Sequence, residues 1–207
     1  SICGKTINPL YQHYWSIGKG PVLADNTRKY IENNLKSHQL NFIHKLHTNW
    51  LFDLNSILEN KVSISENFES KNYNLNKFKI NPKITYIFNE SNRLNFYYQF
   101  YTNENTIGNS EELKQQKLGL SCYLSKGEKI NFNSEVNYFN NSFKGNPNTI
   151  IGYILMEGLQ VGSNYTWSFT AQKKLTKFLD LNLSYFGRKS ENSNSIHNGN
   201  IQLRAIF

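Results

Sequence analysis

From about residue 77 to its end the sequence alternates apolar and polar residues one by one, and it contains no apolar run of about 18 residues. A period of two belongs to a β-strand, whose successive side chains point to opposite faces. The missing run excludes a transmembrane helix. It leaves a membrane β-barrel open, because the apolar residues of such strands alternate and never form a run.

The alternating segments can be read off in order. Phe78, Ile80, Ile84, Tyr86 and Phe88 share one face, with Lys79, Asn81, Lys83 and Thr85 opposite. Leu94, Phe96, Tyr98 and Phe100 form the next, then Leu118, Leu120, Cys122 and Leu124. Ile130, Phe132, Val136 and Tyr138 alternate with Asn131, Asn133, Glu135 and Asn137. Tyr165, Trp167, Phe169 and Ala171 follow, then Leu179, Leu181, Leu183 and Tyr185 around Asp180, and last Ile201, Leu203, Ala205 and Phe207 around Arg204. Residues 149–159 are apolar on both faces and are counted as a less regular strand, making eight. The separators are 90–92, 103–110, 125–128, 140–148, 162–164 and 189–195. Strands of roughly 9–13 residues exceed the ~5–6 of soluble sheets and suit a tilted membrane crossing.

The first 75 residues are less regular. Leu40, Phe42, His44 and Leu46 alternate, and Trp50, Phe52 and Leu54 begin a further strand. Residues 59–76 are polar and read as a long loop, while 1–36 fit a strand, a plug or a loop equally. The chain therefore divides into an N-terminal segment, 1–36, and β-barrel strands over 37–207. It does not begin with Met, so either a leader has been removed or the chain is part of a longer one.

Composition narrows the alternatives. Hydrophobic residues make up 38%, below the usual ~45–50%, yet aromatics reach 14% and Asn numbers 32. That richness in aromatics argues against disorder. The net charge of +8 is carried by scattered lysines and arginines rather than a clustered patch, which argues against nucleic acid as a partner. Cys122 lies in an apolar stripe far from Cys3 and reads as a small hydrophobe.

The fold expected is all-β: an antiparallel transmembrane β-barrel of about 8–10 recognisable strands, alone or as the C-terminal part of a larger barrel. Its apolar face meets lipid, with Tyr165, Trp167, Phe169, Leu181, Leu183, Leu203 and Phe207 as lipid-facing or assembly residues. Its interior holds Lys79, Lys83, Glu135, Asp180 and Arg204 among Asn, Ser and Thr. In a narrow barrel these charges must be paired, so Asp180 and Arg204, on adjacent strands, belong to one polar network; in a wide lumen Arg204 is simply solvated. A soluble lipocalin-like barrel or sandwich is the bland alternative.

Three C-terminal stretches add a resemblance. Residues Met156–Leu175, Leu181–Ser190 and Ile196–Phe207 resemble the final strands of outer-membrane β-barrel proteins of the Bacteroidetes, and a last strand ending in Phe is similar to the signal that outer-membrane assembly machinery reads. The resemblance implies a bacterial outer-membrane location, outer-membrane lipid and assembly machinery as partners, and other envelope proteins beside them. It implies no activity and no cofactor.

No catalytic, cofactor or metal site is assigned. His44 and His47 are three apart, which puts them on opposite faces of a regular strand, and His38 lies roughly 20 Å from His44 along an extended chain. Ser195 near His197 lacks any sign of an oxyanion hole or orienting acid. Phosphate-loop and dinucleotide fingerprints are absent. The leading function is a structural or partner-binding subunit of an envelope complex. The alternatives are a diffusion or uptake channel and a soluble lipid-binding or adhesive protein. One inconsistency stands out: counting strands back from a periplasmic Phe207 puts the long loops 103–110 and 140–148 on the periplasmic side. Membrane barrels keep short turns there, so either a strand is miscounted near 149–159, the favoured reading, or the barrel is unusual.

Overall fold

The computed structural model describes residues 7–24, 27–65, 69, 72–108, 110–127 and 129–205. Ten strands lie among them: β1 Ile7–Ala24, β2 Thr27–His47, β3 Trp50–Ser65, β4 Tyr73–Asn89, β5 Asn92–Asn105, β6 Glu112–Lys126, β7 Ile130–Lys144, β8 Gly162–Thr176, β9 Leu179–Ser190 and β10 Ile196–Ala205. One helix, α1 Ile150–Met156, interrupts the series. Every described ladder is antiparallel and joins sequence neighbours, giving one up-and-down sheet in the order β1 to β10. The boundary at 36/37 falls inside β2, so the N-terminal segment is continuous with the sheet. Phe207 lies outside the described residues.

Register assigns the faces. Lys83 stands opposite Asp53 on β3 and Tyr97 on β5. The same row then runs through Gly119, Asn137, Thr166 and Arg188. One residue away, Phe52, Ile84, Phe96, Leu120, Val136 and Trp167 form a row on the other face. Phe96, Leu120 and Val136 are 52%, 47% and 47% exposed, so this apolar row faces outward with nothing over it. On β6 the outward residues Leu118, Leu120, Cys122 and Leu124 are bounded by Gln116 and Lys126. Ten residues separate those boundaries, about 34 Å along a strand and about 25 Å in height at the ~45° tilt of barrel strands.

Four sequence-based expectations change. Residues 149–159 form no strand. Thr149 caps α1, its Oγ1 accepting from Gly152 N at 3.0 Å, and Glu157 ends it at φ 53°. Ile151, Leu155 and Met156 are buried on one side of the helix, which explains why the segment is apolar without a period of two. Residues 59–76 are no long loop: Glu59–Ser65 belong to β3 and Tyr73–Asn76 to β4. Asn side chains tie this polar part together, Asn60 Nδ2 donating to Asn74 Oδ1 at 2.7 Å and to Asn76 Oδ1 at 2.8 Å. Gly162-Ser163-Asn164 opens β8 rather than separating strands. The strands run from 10 to 21 residues, because several continue beyond the apolar band.

Removing the false strand resolves the loop inconsistency. The β2–β3, β4–β5, β6–β7 and β8–β9 connections are two or three residues long and share the end where β10 finishes. The connections 66–72, 106–111, 145–161 and 191–195 all lie at the opposite end. Beside the short turns, Trp50, Tyr86 and Phe88 form an aromatic chain with successive centroids 4.8 Å apart.

Candidate functional site

The inward face carries its charges on alternate positions of β4, where Lys77, Lys79 and Lys83 point the same way. Lys83 Nζ meets Asp53 Oδ2 at 2.9 Å, and Lys77 Nζ meets Glu59 Oε1 at 3.5 Å, both across β3–β4. On β6, Lys117 Nζ lies 3.7 Å from Glu135 Oε1 and rests 5.1 Å from the ring centroids of Tyr97 and Phe139. Lys79 sits between Ile57 and Tyr101 and has no carboxylate within ion-pair distance among the described residues. Its charged neighbours are Lys77, Lys117 and Glu157. Lys61 and Arg93 also face inward without a carboxylate, lying over the rings of Tyr73 and Tyr123.

A second cluster spans three strands. The Tyr97 ring crosses β6 over Gly119, the only residue type small enough there, since a Cβ would stand 2.1 Å from Tyr97 Cζ. The hydroxyl thereby reaches β7 and donates to Glu135 Oε1 at 2.6 Å. Asn137 Nδ2 donates to the same oxygen at 2.9 Å. Toward the short turns, Thr85 Oγ1 donates to Asn95 Oδ1 at 2.8 Å and Asn95 Nδ2 to Ser121 Oγ at 2.9 Å. Hydrogen bonding of this kind is what lets polar groups be covered at little cost.

At the loop-bearing end α1 folds over this face. Ile151, Leu155 and Met156 pack with Leu75, Tyr101 and Leu113, joined by the half-buried Tyr73 and Phe143. Among the described residues this is the hydrophobic core, and it plugs the polar face rather than filling it. The charged wall below is partly exposed: Lys83 and Glu135 are 36% and 38% accessible, while Lys117 is mostly covered at 19%. A cavity of about 500 Å³ lies between β7 and β10, lined by Glu135, Asn137, Thr166 and Arg188 together with the apolar Phe186 and Ile196, among others.

The register brings all five interior candidates to one face. Lys79, Lys83 and Glu135 join the clusters above, and Asp180 stands directly opposite Arg204 on β10. Tyr165, Trp167, Phe169, Leu181, Leu183 and Leu203 share the outward face, where Trp167 lies over Gly187 and 5.6 Å from the His197 ring. Lys77, Lys117, Tyr97 and Glu157 were missed by sequence reasoning. The lysines were legible, since each falls on an inward parity position; the others depend on register and on α1. One histidine expectation is corrected: a bulge between Lys45 and His47 sets His44 opposite Phe52 and His47 opposite Trp50, on one face. Among the described residues no three metal-ligating side chains gather.

No protein-family model matches the sequence, and no curated protein matches it. Among solved structures, an outer membrane channel from Pseudomonas putida F1 is similar at 12% identity and TM-score 0.48, over 97% of this chain and 74% of the other. The translocator domain of the autotransporter NalP from Neisseria meningitidis is similar at 11% identity and TM-score 0.43, over 96% and 73%. Likeness at this level concerns the course of the strands, and the chemistry of the wall is argued from its own residues.

Proposed function

We propose that this chain is an outer-membrane β-barrel subunit of a bacterial envelope whose polar face lines a narrow aqueous path for small solutes, narrowed by α1. One observation carries the reading: an outward apolar band, bounded by polar residues, backs an inward wall whose charged side chains keep part of their surface accessible. Outward leucines and phenylalanines suit lipid, and inward charges left accessible suit water. The long connections all lie opposite the end where β10 finishes, which fits extracellular loops and periplasmic turns. Outer-membrane lipid is then the outer partner, and the C-terminal strand the part presented to assembly machinery, in keeping with the Bacteroidetes-like stretches of the sequence.

A second reading, a partner-binding subunit of an envelope complex, is favoured by β10, exposed at all ten residues. Among the described residues β10 pairs with β9 alone, and a free strand edge offers a row of donors and acceptors to another strand. Planar-bilayer recording separates the two. Discrete conductance steps from the purified chain support the path; folded, heat-modifiable protein that never conducts supports the scaffold. Release from membranes by urea without detergent refutes both.

A further inference from the structure

We infer that the inward wall selects small anions, such as inorganic phosphate, sulfate or simple carboxylates, and that Lys79 sets this preference; the inference rests on the solute-path reading above. The wall is built with more cations than it neutralises. Asp53, Glu59 and Glu135 each already hold one lysine, namely Lys83, Lys77 and Lys117. Lys79 remains over, between two of those lysines. Lys61 and Arg93 rest on aromatic rings, which attract a cation without cancelling its charge. A cation flanked by cations and partly exposed draws in mobile anions, because a low-dielectric wall focuses its field into the aqueous space.

The carboxylate that does act on Lys79 and Lys117 from outside the wall is Glu157. It stands at the C-cap of α1, where φ 53° turns the chain back, and Gly158 at φ 77° continues the turn. The plug thus brings a tethered carboxylate to the cations that a free anion would approach.

The test is the reversal potential of the full chain in planar bilayers under a potassium chloride gradient. The parent is expected to pass chloride in preference to potassium. Lys79→Glu reverses one charge facing the path. Coulomb's law across about 7 Å of water, screened at ~0.1 M salt, puts the fall in the chloride-to-potassium ratio on the order of tenfold. Glu157→Gln is expected to raise that ratio. Lys114→Glu reverses a charge on the outward face and is expected to leave it unchanged. Should Lys79→Glu fail to fold, judged by heat-modifiable migration, Lys79→Gln is expected to lower the ratio by about threefold. Conductance without anion preference in the parent overturns this inference and leaves the path intact. An effect of Lys114→Glu as large as that of Lys79→Glu overturns it too, by tracing the preference to general surface charge. A folded parent that never conducts overturns both.

Discussion

Gly119→Ala tests the three-strand cluster most directly. The new methyl would lie 2.1 Å from Tyr97 Cζ and 2.5 Å from its Oη, so the ring must leave its place over β6. Leaving breaks the 2.6 Å hydrogen bond to Glu135, and a bond to a charged acceptor is worth about 1.5–3 kcal/mol. Because that carboxylate is 38% exposed and keeps Lys117 and Asn137, the lower end applies. Crowding a packed contact adds about 1–3 kcal/mol. The expected loss is about 2.5–4.5 kcal/mol, read as a lower urea midpoint in detergent, with the heat-modifiable band as the measure of folded protein. In a Tyr97→Ala background the clash is gone, and Gly119→Ala should then be neutral or stabilise slightly, since Gly weakens a strand interior by roughly 0.5–1 kcal/mol. The two substitutions must therefore be strongly non-additive. Additive effects, or a Gly119→Ala chain within about 0.5 kcal/mol of the parent, would refute the ring-over-glycine account.

Other outcomes follow from the same geometry. Val136→Lys places a charge in the outward band and should destabilise the chain in bilayers by about 2–4 kcal/mol, whereas inward Asn133→Lys should stay within about 0.5 kcal/mol; equal costs in urea titrations from vesicles would reverse the face assignment. Leu155→Ala empties the centre of the plug, where Leu155 and Leu113 are 0% exposed, and should weaken α1 docking by about 2–4 kcal/mol; protease cutting within 145–161 should quicken while the wall stays resistant. Thr149→Ala removes the helix cap and should produce a smaller version of the same quickening, about 1 kcal/mol, with no change in the urea midpoint of the wall.

The parts of this fold legible in the sequence are those whose two faces differ sharply in polarity. From β4 to β10 an exposed apolar face and a polar face impose a period of two, and the assigned faces of Phe96, Leu120, Val136 and Lys83 follow from parity alone. Beyond the band the apolar positions thin out: Val62 and Ile64 still alternate with Lys61, Ser63 and Ser65, but Asn60, Asn74 and Asn76 break the outward stripe, which is why the stretch reads as loop although these side chains tie β3 to β4 there. Helix α1 hid for a related reason, being seven residues long with exposed Ile150, Tyr153 and Ile154 beside its buried side. Its cap, Thr149 after Asn146-Pro147, was the available signal. Within the site, parity gives Lys79 and Glu135 a common face. It cannot give Tyr97 reaching Glu135, because that contact depends on the register of three strands and on a glycine at the crossing point.

The up-and-down course of the strands has a kinetic side. Each described ladder joins neighbours in sequence, so each hairpin closes a short loop, and the longest connection, 145–161, carries its own helix. Closure entropy grows only slowly with loop length, and local pairing is the condition for fast folding. The wall can therefore grow one hairpin at a time from the tight turns at His47–Trp50 and Asn89–Asn92, where Asn49 Nδ2 donates to Ile87 O at 2.9 Å. The contacts that close the longest stretches of chain are those of α1 with Leu75, Tyr101 and Leu113 rather than the pairing of strands.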